Sequence, residues 1–101
     1  MREAYSHEVI SHGFWPGGGS VPEPVFYGYA VPEPAGFREA AVEPASAFYH
    51  KELGEFLLPY ESVRTSSDPD GALRRFVEST YSQAATLGHW DRVALERPSR
   101  A

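Results

Sequence analysis

Two copies of the tetrapeptide Val-Pro-Glu-Pro, at residues 21–24 and 31–34, confine the short segment between them. Proline fixes its own φ and has no backbone N–H, so each copy ends a hydrogen-bonded ladder. The enclosed residues, 25–30, are mainly β-branched or aromatic, and this composition predicts a strand. Alternate residues of a strand share a face, so we expect Val25, Tyr27, Tyr29 and Val31 on one face and Phe26, Gly28 and Ala30 on the other.

A strand is also predicted at residues 4–12, where β-branched and aromatic residues occur without a helix cap before them. Both of its faces mix apolar and polar side chains. We therefore expect either a covered central strand or a chain whose preceding part is missing. Segment 14–20 contains Pro16 and three successive glycines, and we expect it to leave the strand and bend.

Two further strands are predicted at about 46–50 and 55–58, joined by a hairpin loop with glycine at its end. Pro59 closes the second of these strands, and residues 60–64 suit one helical turn. A long amphipathic helix follows, with Asp68 as its cap, Pro69 in its first turn and Gly88 at its end. Its apolar stripe consists of Leu73, Phe76, Val77, Thr80, Tyr81, Ala84 and Leu87.

A short second helix is predicted at about 90–96, before a flexible end at about 97–101. About four short, mainly antiparallel strands followed by helices predict an α+β fold with the long helix on one sheet face. The 101 residues suffice for a single small domain, or for the C-terminal fragment of a larger one.

Charge and composition exclude several classes of function. The net charge is −5 and the arginines are scattered, so the chain lacks the basic stripe that binds nucleic acid. It has no cysteine, which excludes disulfides and thiolate metal sites and is compatible with a reducing compartment. No apolar run approaches the roughly 20 residues that span a bilayer. We expect a cytoplasmic protein with no membrane partner.

Several segments occur in an order that resembles a known family. They are Ser-His-Glu-Val-Ile at 6–10, Gly-Phe-Trp-Pro-Gly at 13–17, Phe-Tyr-Gly-Tyr at 26–29, Leu-Gly-Glu-Phe-Leu-Leu-Pro-Tyr-Glu at 53–61, Ser-Thr-Tyr at 79–81 and Trp-Asp at 90–91. This order resembles the C-terminal third of an uncharacterised, mainly bacterial family, domain of unknown function 5996. The resemblance covers nearly the whole chain. It implies a missing N-terminal part and no established activity, so no catalytic role is carried over.

Three polar residues near the N-terminus, His7, Glu8 and His12, are the candidates for catalysis. A carboxylate that orients an imidazole can form an acid–base pair, and His and Glu are also metal ligands. However, the two histidines are five residues apart, and a zinc-protease helix needs four. In a strand they face opposite sides. A histidine that is satisfied by the backbone or by Glu8 explains the pattern better, and we predict no metal and no cofactor.

A ligand pocket is the other candidate site, with Trp15, Tyr27, Tyr29 and His50 as its residues. A sheet core whose tyrosine hydroxyls reach the surface explains the aromatic residues better, because it needs no ligand. The glycines at 17–19 lack the lysine and the following helix of phosphate loops, so we expect only a bent or flexible loop.

Two hypotheses on function therefore stand. In the preferred one, the chain is a non-catalytic structural part of a larger domain, and alone it exposes an apolar patch and self-associates. In the alternative, it shares a small-ligand, metal or acid–base site with the missing N-terminal part. The alternative requires His7, Glu8 and His12 to converge on one concave space.

Overall fold

A computed structural model gives the fold of the chain and describes residues 9–89. Four strands form one antiparallel sheet in the order β1-β2-β4-β3; they are β1 (Val9–Trp15), β2 (Val25–Val31), β3 (Phe48–His50) and β4 (Glu55–Pro59). Two helices follow the strands, α1 (Tyr60–Arg64) and α2 (Pro69–Leu87), and a single 3-10 turn (Phe37–Glu39) precedes β3. The predicted α+β fold is confirmed. The predicted helix at 90–96 and the start of the first predicted strand lie outside the described residues.

Strand β1 extends further along the chain than its sequence predicts. Phe14 and Trp15 pair with Phe26 and Val25 of β2, so the prediction that residue 14 leaves the strand is wrong. The extension has a cross-strand cause, because the Phe14 and Phe26 rings lie 5.1 Å apart. The ladder therefore ends only at Pro16. Among the described strands β1 lies at a sheet edge, with β2 as its neighbour.

Helix α2 begins and ends as predicted. The Asp68 side chain accepts a hydrogen bond from the Gly71 backbone N–H over 3.2 Å, Pro69 occupies the first turn, and Gly88 follows the last residue. A carboxylate cap satisfies an N–H that has no partner within the helix, and its charge is favourable at this end.

One face of the sheet, here called the helix face, packs against α2. Its core consists of side chains from two strands, the 3-10 turn and both helices: Ala30, Phe37, Phe56, Leu58, Val63, Phe76, Ala84 and Ala85. Tyr49 and Ile10 pack at the margin of this core. The predicted partition of β2 is therefore confirmed, with Ala30 on the helix face.

The second Val-Pro-Glu-Pro copy is tied to β3 by a polar cluster at the margin of the core. The Tyr49 hydroxyl donates to Glu33 over 2.7 Å, and Arg38 donates to the other oxygen of that carboxylate over 3.1 Å. The Arg38 guanidinium also lies 5.3 Å from the centre of the Tyr49 ring. Burial and the hydrogen bond to Glu33 both raise the pKa of Tyr49. The cluster fixes the chain segment that crosses from β2 towards β3.

The opposite face, here called the open face, has no helix on it within residues 9–89. A row of residues crosses all four strands on this face, in the order Gly13, Tyr27, Leu57 and Phe48. Several apolar side chains of the face are about half exposed: Val9, Trp15, Val31 and Phe48. The helix therefore covers only one of the two apolar faces of this sheet.

Candidate functional site

A cavity of about 300 Å³ opens on the open face, between the end of β1 and the β3–β4 loop. We call it the Glu55 pocket. Its walls are mainly apolar and aromatic, and they include Trp15, Val21, Tyr27, Leu53 and Leu57, with Glu55 as its one residue with a charged side chain. A concave apolar site with a single charged group is typical of small-molecule sites, and its volume lies at their lower limit.

The glycine segment forms one wall of the pocket as a tight hairpin. Gly18 and Val21 exchange two backbone hydrogen bonds, of 2.8 and 3.3 Å. The Trp15 indole N–H donates to the same Val21 carbonyl over 2.8 Å, which fixes the indole beside the hairpin. Gly19 has a φ of 63°, in the left-handed region that favours glycine. The predicted bend is thus an ordered turn.

Glu55 lies half-buried in this pocket, where its register partner across the sheet is His50 of β3. Burial raises the pKa of the Glu55 carboxyl, and the nearby His50 opposes this effect in part. No group within residues 9–89 donates a hydrogen bond to this carboxylate at hydrogen-bonding distance. His50 itself is occupied in the loop, because its Nδ1 accepts a hydrogen bond from the Leu53 N–H over 3.2 Å. Glu55 is thus the one charged side chain of the pocket, and its carboxylate accepts no hydrogen bond within the described chain.

His12 lies on the helix face, away from the Glu55 pocket. Its Nε2 is 2.7 Å from the Thr80 hydroxyl of α2, and that hydroxyl is 2.8 Å from the Phe76 carbonyl. All three groups are satisfied when His12 donates to Thr80 and Thr80 donates to the carbonyl. Burial lowers the pKa of His12, which favours the neutral ring. His12 is thus satisfied within the fold, but by the Thr80 hydroxyl and not by the backbone carbonyl or Glu8 that the simpler interpretation names.

A second cavity, of about 290 Å³, lies beside His12 between β1 and α2. Its other walls are glycine and apolar or aromatic side chains, including Phe14, Phe26, Leu73 and Phe76. The Phe14 and Phe26 rings form an aromatic cluster there with Tyr60. His12 is the one histidine of this cavity, and Thr80 already engages its Nε2. The second cavity therefore has no Asp, Glu, Lys or Arg side chain to orient a ligand, and the Tyr27 hydroxyl is its other polar group.

The four residues predicted to form a ligand pocket lie on one face of the sheet. Trp15, Tyr27, Tyr29 and His50 all lie on the open face, where the Tyr27 and Tyr29 rings stack 6.1 Å apart. Trp15 and Tyr27 line the Glu55 pocket directly.

The catalytic candidates are not brought together in the described part of the chain. His12 points to the helix face, and His7 and Glu8 lie outside the described residues. The residues 9–89 contain no group of three His, Asp or Glu side chains that could hold a metal ion. The convergence of the three candidates stays a prediction.

Glu55 itself was missed at the level of sequence, where it marks only the start of a strand. The sequence does contain a signal for it, because Glu55 and Leu57 are two residues apart in a strand and therefore share a face. A carboxylate on an otherwise apolar strand face indicates a polar group within an apolar surface.

No helix within residues 9–89 has the length and apolar character needed to cross a membrane.

Comparison with known proteins identifies a family and no function. Neither the curated proteins nor the solved structures contain a match. The model of one family, described as a family of unknown function (DUF5996), matches residues 1–97, nearly the whole chain. This match confirms the resemblance that the sequence motifs indicate, and the chain belongs to this family of unknown function.

Proposed function

We propose that this chain is a non-catalytic structural part of a larger α+β domain, and that another part of that domain covers its open face. The observation that carries the proposal is the apolar surface of that face. Val31 is 49% exposed, Phe48 46% and Val9 42%. An antiparallel sheet with one solvated face normally alternates apolar and polar residues, whereas on this face the described strands place only Ser11, His50 and Glu55 beside Gly13 and apolar or aromatic residues. Such a surface marks an interaction site.

The position of β1 favours a partner within the same domain. Val9, the first described residue, pairs with Val31, and both are among the most exposed apolar residues of the open face. The first described residue of β1 therefore lies beside the uncovered surface. Glu55 and His50 are the acidic and basic residues that the described strands place on this face. A surface with so little charge suits packing within a domain better than a charged, transient contact.

The test uses two phenylalanines of nearly equal exposure on opposite faces. Phe48 on the open face is 46% exposed, and Phe14 on the helix face is 47% exposed. We expect the chain alone to bind a dye specific for apolar surfaces and to self-associate with rising concentration in sedimentation. Phe48→Ser weakens both effects, and the matched Phe14→Ser leaves them nearly unchanged. A chain that stays monomeric at all concentrations and binds no dye would refute the proposal.

A second measurement separates the proposed partner from a second copy of the chain. The N-terminal part of a longer family member, co-expressed with this chain, should co-purify with it and abolish dye binding. Self-association that persists in its presence would assign the open face to contacts between copies. The expected compartment is the cytoplasm, in keeping with a chain that has no cysteine.

A further inference from the structure

We propose that the Glu55 pocket is a binding site for a small organic amine, with the Glu55 carboxylate as the counter-ion of its ammonium group. The inference goes beyond the structural role proposed above and does not depend on it. Every residue that lines the pocket belongs to the segment between Trp15 and Leu57. The walls of the pocket are therefore complete within this chain when the open face is uncovered.

The charge of the ligand follows from Glu55, the one charged side chain in the pocket. A half-buried carboxylate has lost part of its hydration, and no hydrogen-bond donor within residues 9–89 replaces it. A carboxylate accepts hydrogen bonds only, so the complementary ligand group must donate them. An ammonium group donates up to three hydrogen bonds and carries the opposite charge. A ligand carboxylate or phosphate would instead face like charge in an apolar site.

The walls and the volume of the pocket indicate the size and the apolar character of the rest of the ligand. Trp15 and Tyr27 present aromatic rings, and Leu53 and Leu57 present aliphatic side chains. Aromatic faces attract an organic cation, and the apolar walls favour a hydrocarbon body. A volume of about 300 Å³ restricts that body to about one ring with a short side chain. The class is thus small aryl-alkyl or alkyl amines.

The wall formed by the glycine hairpin is already in place for such a ligand. The Trp15 indole is held by its hydrogen bond to Val21, so the ring is oriented before a ligand arrives. Preorganisation of this kind reduces the entropy lost on binding. His50 is held by the Leu53 N–H through Nδ1, which keeps that nitrogen from acting as a donor to Glu55.

The experiment compares an amine with its neutral counterpart on the intact 101-residue chain. The probes are 2-phenylethylamine and 2-phenylethanol, titrated at pH 7 and followed by NMR, with the Trp15 indole N–H as the reporter. A Trp90→Phe background removes the other indole signal, because the chain has two tryptophans. We expect the amine to bind about tenfold more tightly or better, as a hydrogen bond to a charged group provides.

Two variants assign this preference to Glu55. Glu55→Gln keeps the shape and removes the charge, and we expect it to abolish the preference for the amine. Glu52→Gln removes one charge from an exposed residue of the neighbouring loop, and we expect it to preserve the preference. Equal binding of the amine and the alcohol, binding of neither at millimolar concentration, or equal losses in the two variants would overturn the proposal.

A pH series keeps the test decisive if Glu55→Gln does not fold. In the unmodified chain, protonation of Glu55 removes the counter-ion, so the affinity for the amine must fall as the pH drops through the pKa of that carboxyl. The affinity for the alcohol should stay constant over the same range. An amine affinity that is independent of pH would exclude Glu55 as its partner. A failure of the structural proposal would show as a monomeric, dye-free chain, which is a separate measurement.

Discussion

The two faces of the sheet are built from the same four strands, but their side chains are buried to different extents. On the helix face, Phe56, Leu58 and Phe76 are almost completely buried in a continuous core. On the open face, Leu57 is equally buried, yet its neighbours Phe48 and Trp15 are nearly half exposed. One face is therefore closed by the chain itself, and the other is only partly closed. The stability of residues 9–89 should come chiefly from the helix face, and binding from the open face.

The largest expected difference in stability is between substitutions of two phenylalanines, one on each face. Phe76→Ala removes a ring that is fully buried in the helix-face core and should lower the free energy of unfolding by about 3–5 kcal/mol. Phe48→Ala removes a ring that is 46% exposed on the open face, and we expect a much smaller loss. Urea denaturation followed by circular dichroism measures both. Similar losses would show that the two faces contribute equally to stability.

The second comparison is between the stability costs of adding a methyl group at two glycines, one on each face. A Cβ on Gly28 would lie 2.8 Å from His12 Cδ2, and that ring is held against Thr80. Gly28→Ala should therefore cost about 1–3 kcal/mol, as overpacking in a core does.

The matched change is on the open face. A Cβ on Gly13 would meet the Tyr27 ring, with 2.3 Å to its hydroxyl oxygen. That ring lies on the uncovered side and can move outward. We expect Gly13→Ala to cost less than Gly28→Ala in the same denaturation experiment. The reverse order would mean that the open face is as tightly packed as the helix face.

Two tyrosine hydroxyls provide a smaller contrast. Tyr49→Phe removes the hydrogen bond to Glu33 at the margin of the core and should cost about 0.5–1.5 kcal/mol. Tyr27→Phe removes a hydroxyl that makes no hydrogen bond within residues 9–89, so thermal unfolding should detect almost no change. A large loss for Tyr27→Phe would reveal a polar contact on the open face.

The smallest effect concerns the pH dependence of the helix face. Burial lowers the pKa of His12 below its ordinary value of 6.5, so the unfolded chain binds the proton more readily than the folded chain. This group's contribution is complete above the unfolded pKa and is lost as the pH falls from about 6.5 through the folded pKa. His12→Asn should flatten the decline in melting temperature between pH 7.5 and 5.5. The exposed His89→Asn serves as control, and an identical effect of the two variants would contradict the assignment.

The sequence predicts the elements whose ends carry local signals. Asp68, Pro69 and Gly88 mark α2 because capping depends on neighbours within a few residues. The proline pairs likewise delimit β2. The end of β1 was predicted wrongly, because Phe14 stays in the ladder through a ring contact with Phe26, twelve residues away. Local bend signals cannot report such a partner.

The sequence predicts the site residues only as far as strand alternation determines which face of the sheet each side chain lies on. Alternation places Tyr27 and Tyr29 on one face, and the structure adds Trp15 and His50 to it through the register. It cannot show that His12 meets Thr80, which lies 68 residues further along the chain. Nor can it show that the glycine hairpin folds back to form a wall beside Glu55. Both features depend on tertiary contacts.

The edge position of β1 affects how this chain behaves at high concentration. Its seven residues contain neither lysine nor proline, the residues that commonly discourage unwanted strand pairing. The other edge, β3, is only three residues long and offers little backbone for pairing. Growth of the sheet by a strand from another molecule should therefore start at β1. This mode of aggregation uses backbone hydrogen bonds rather than apolar surface, so a charged side chain introduced on the open face would not prevent it.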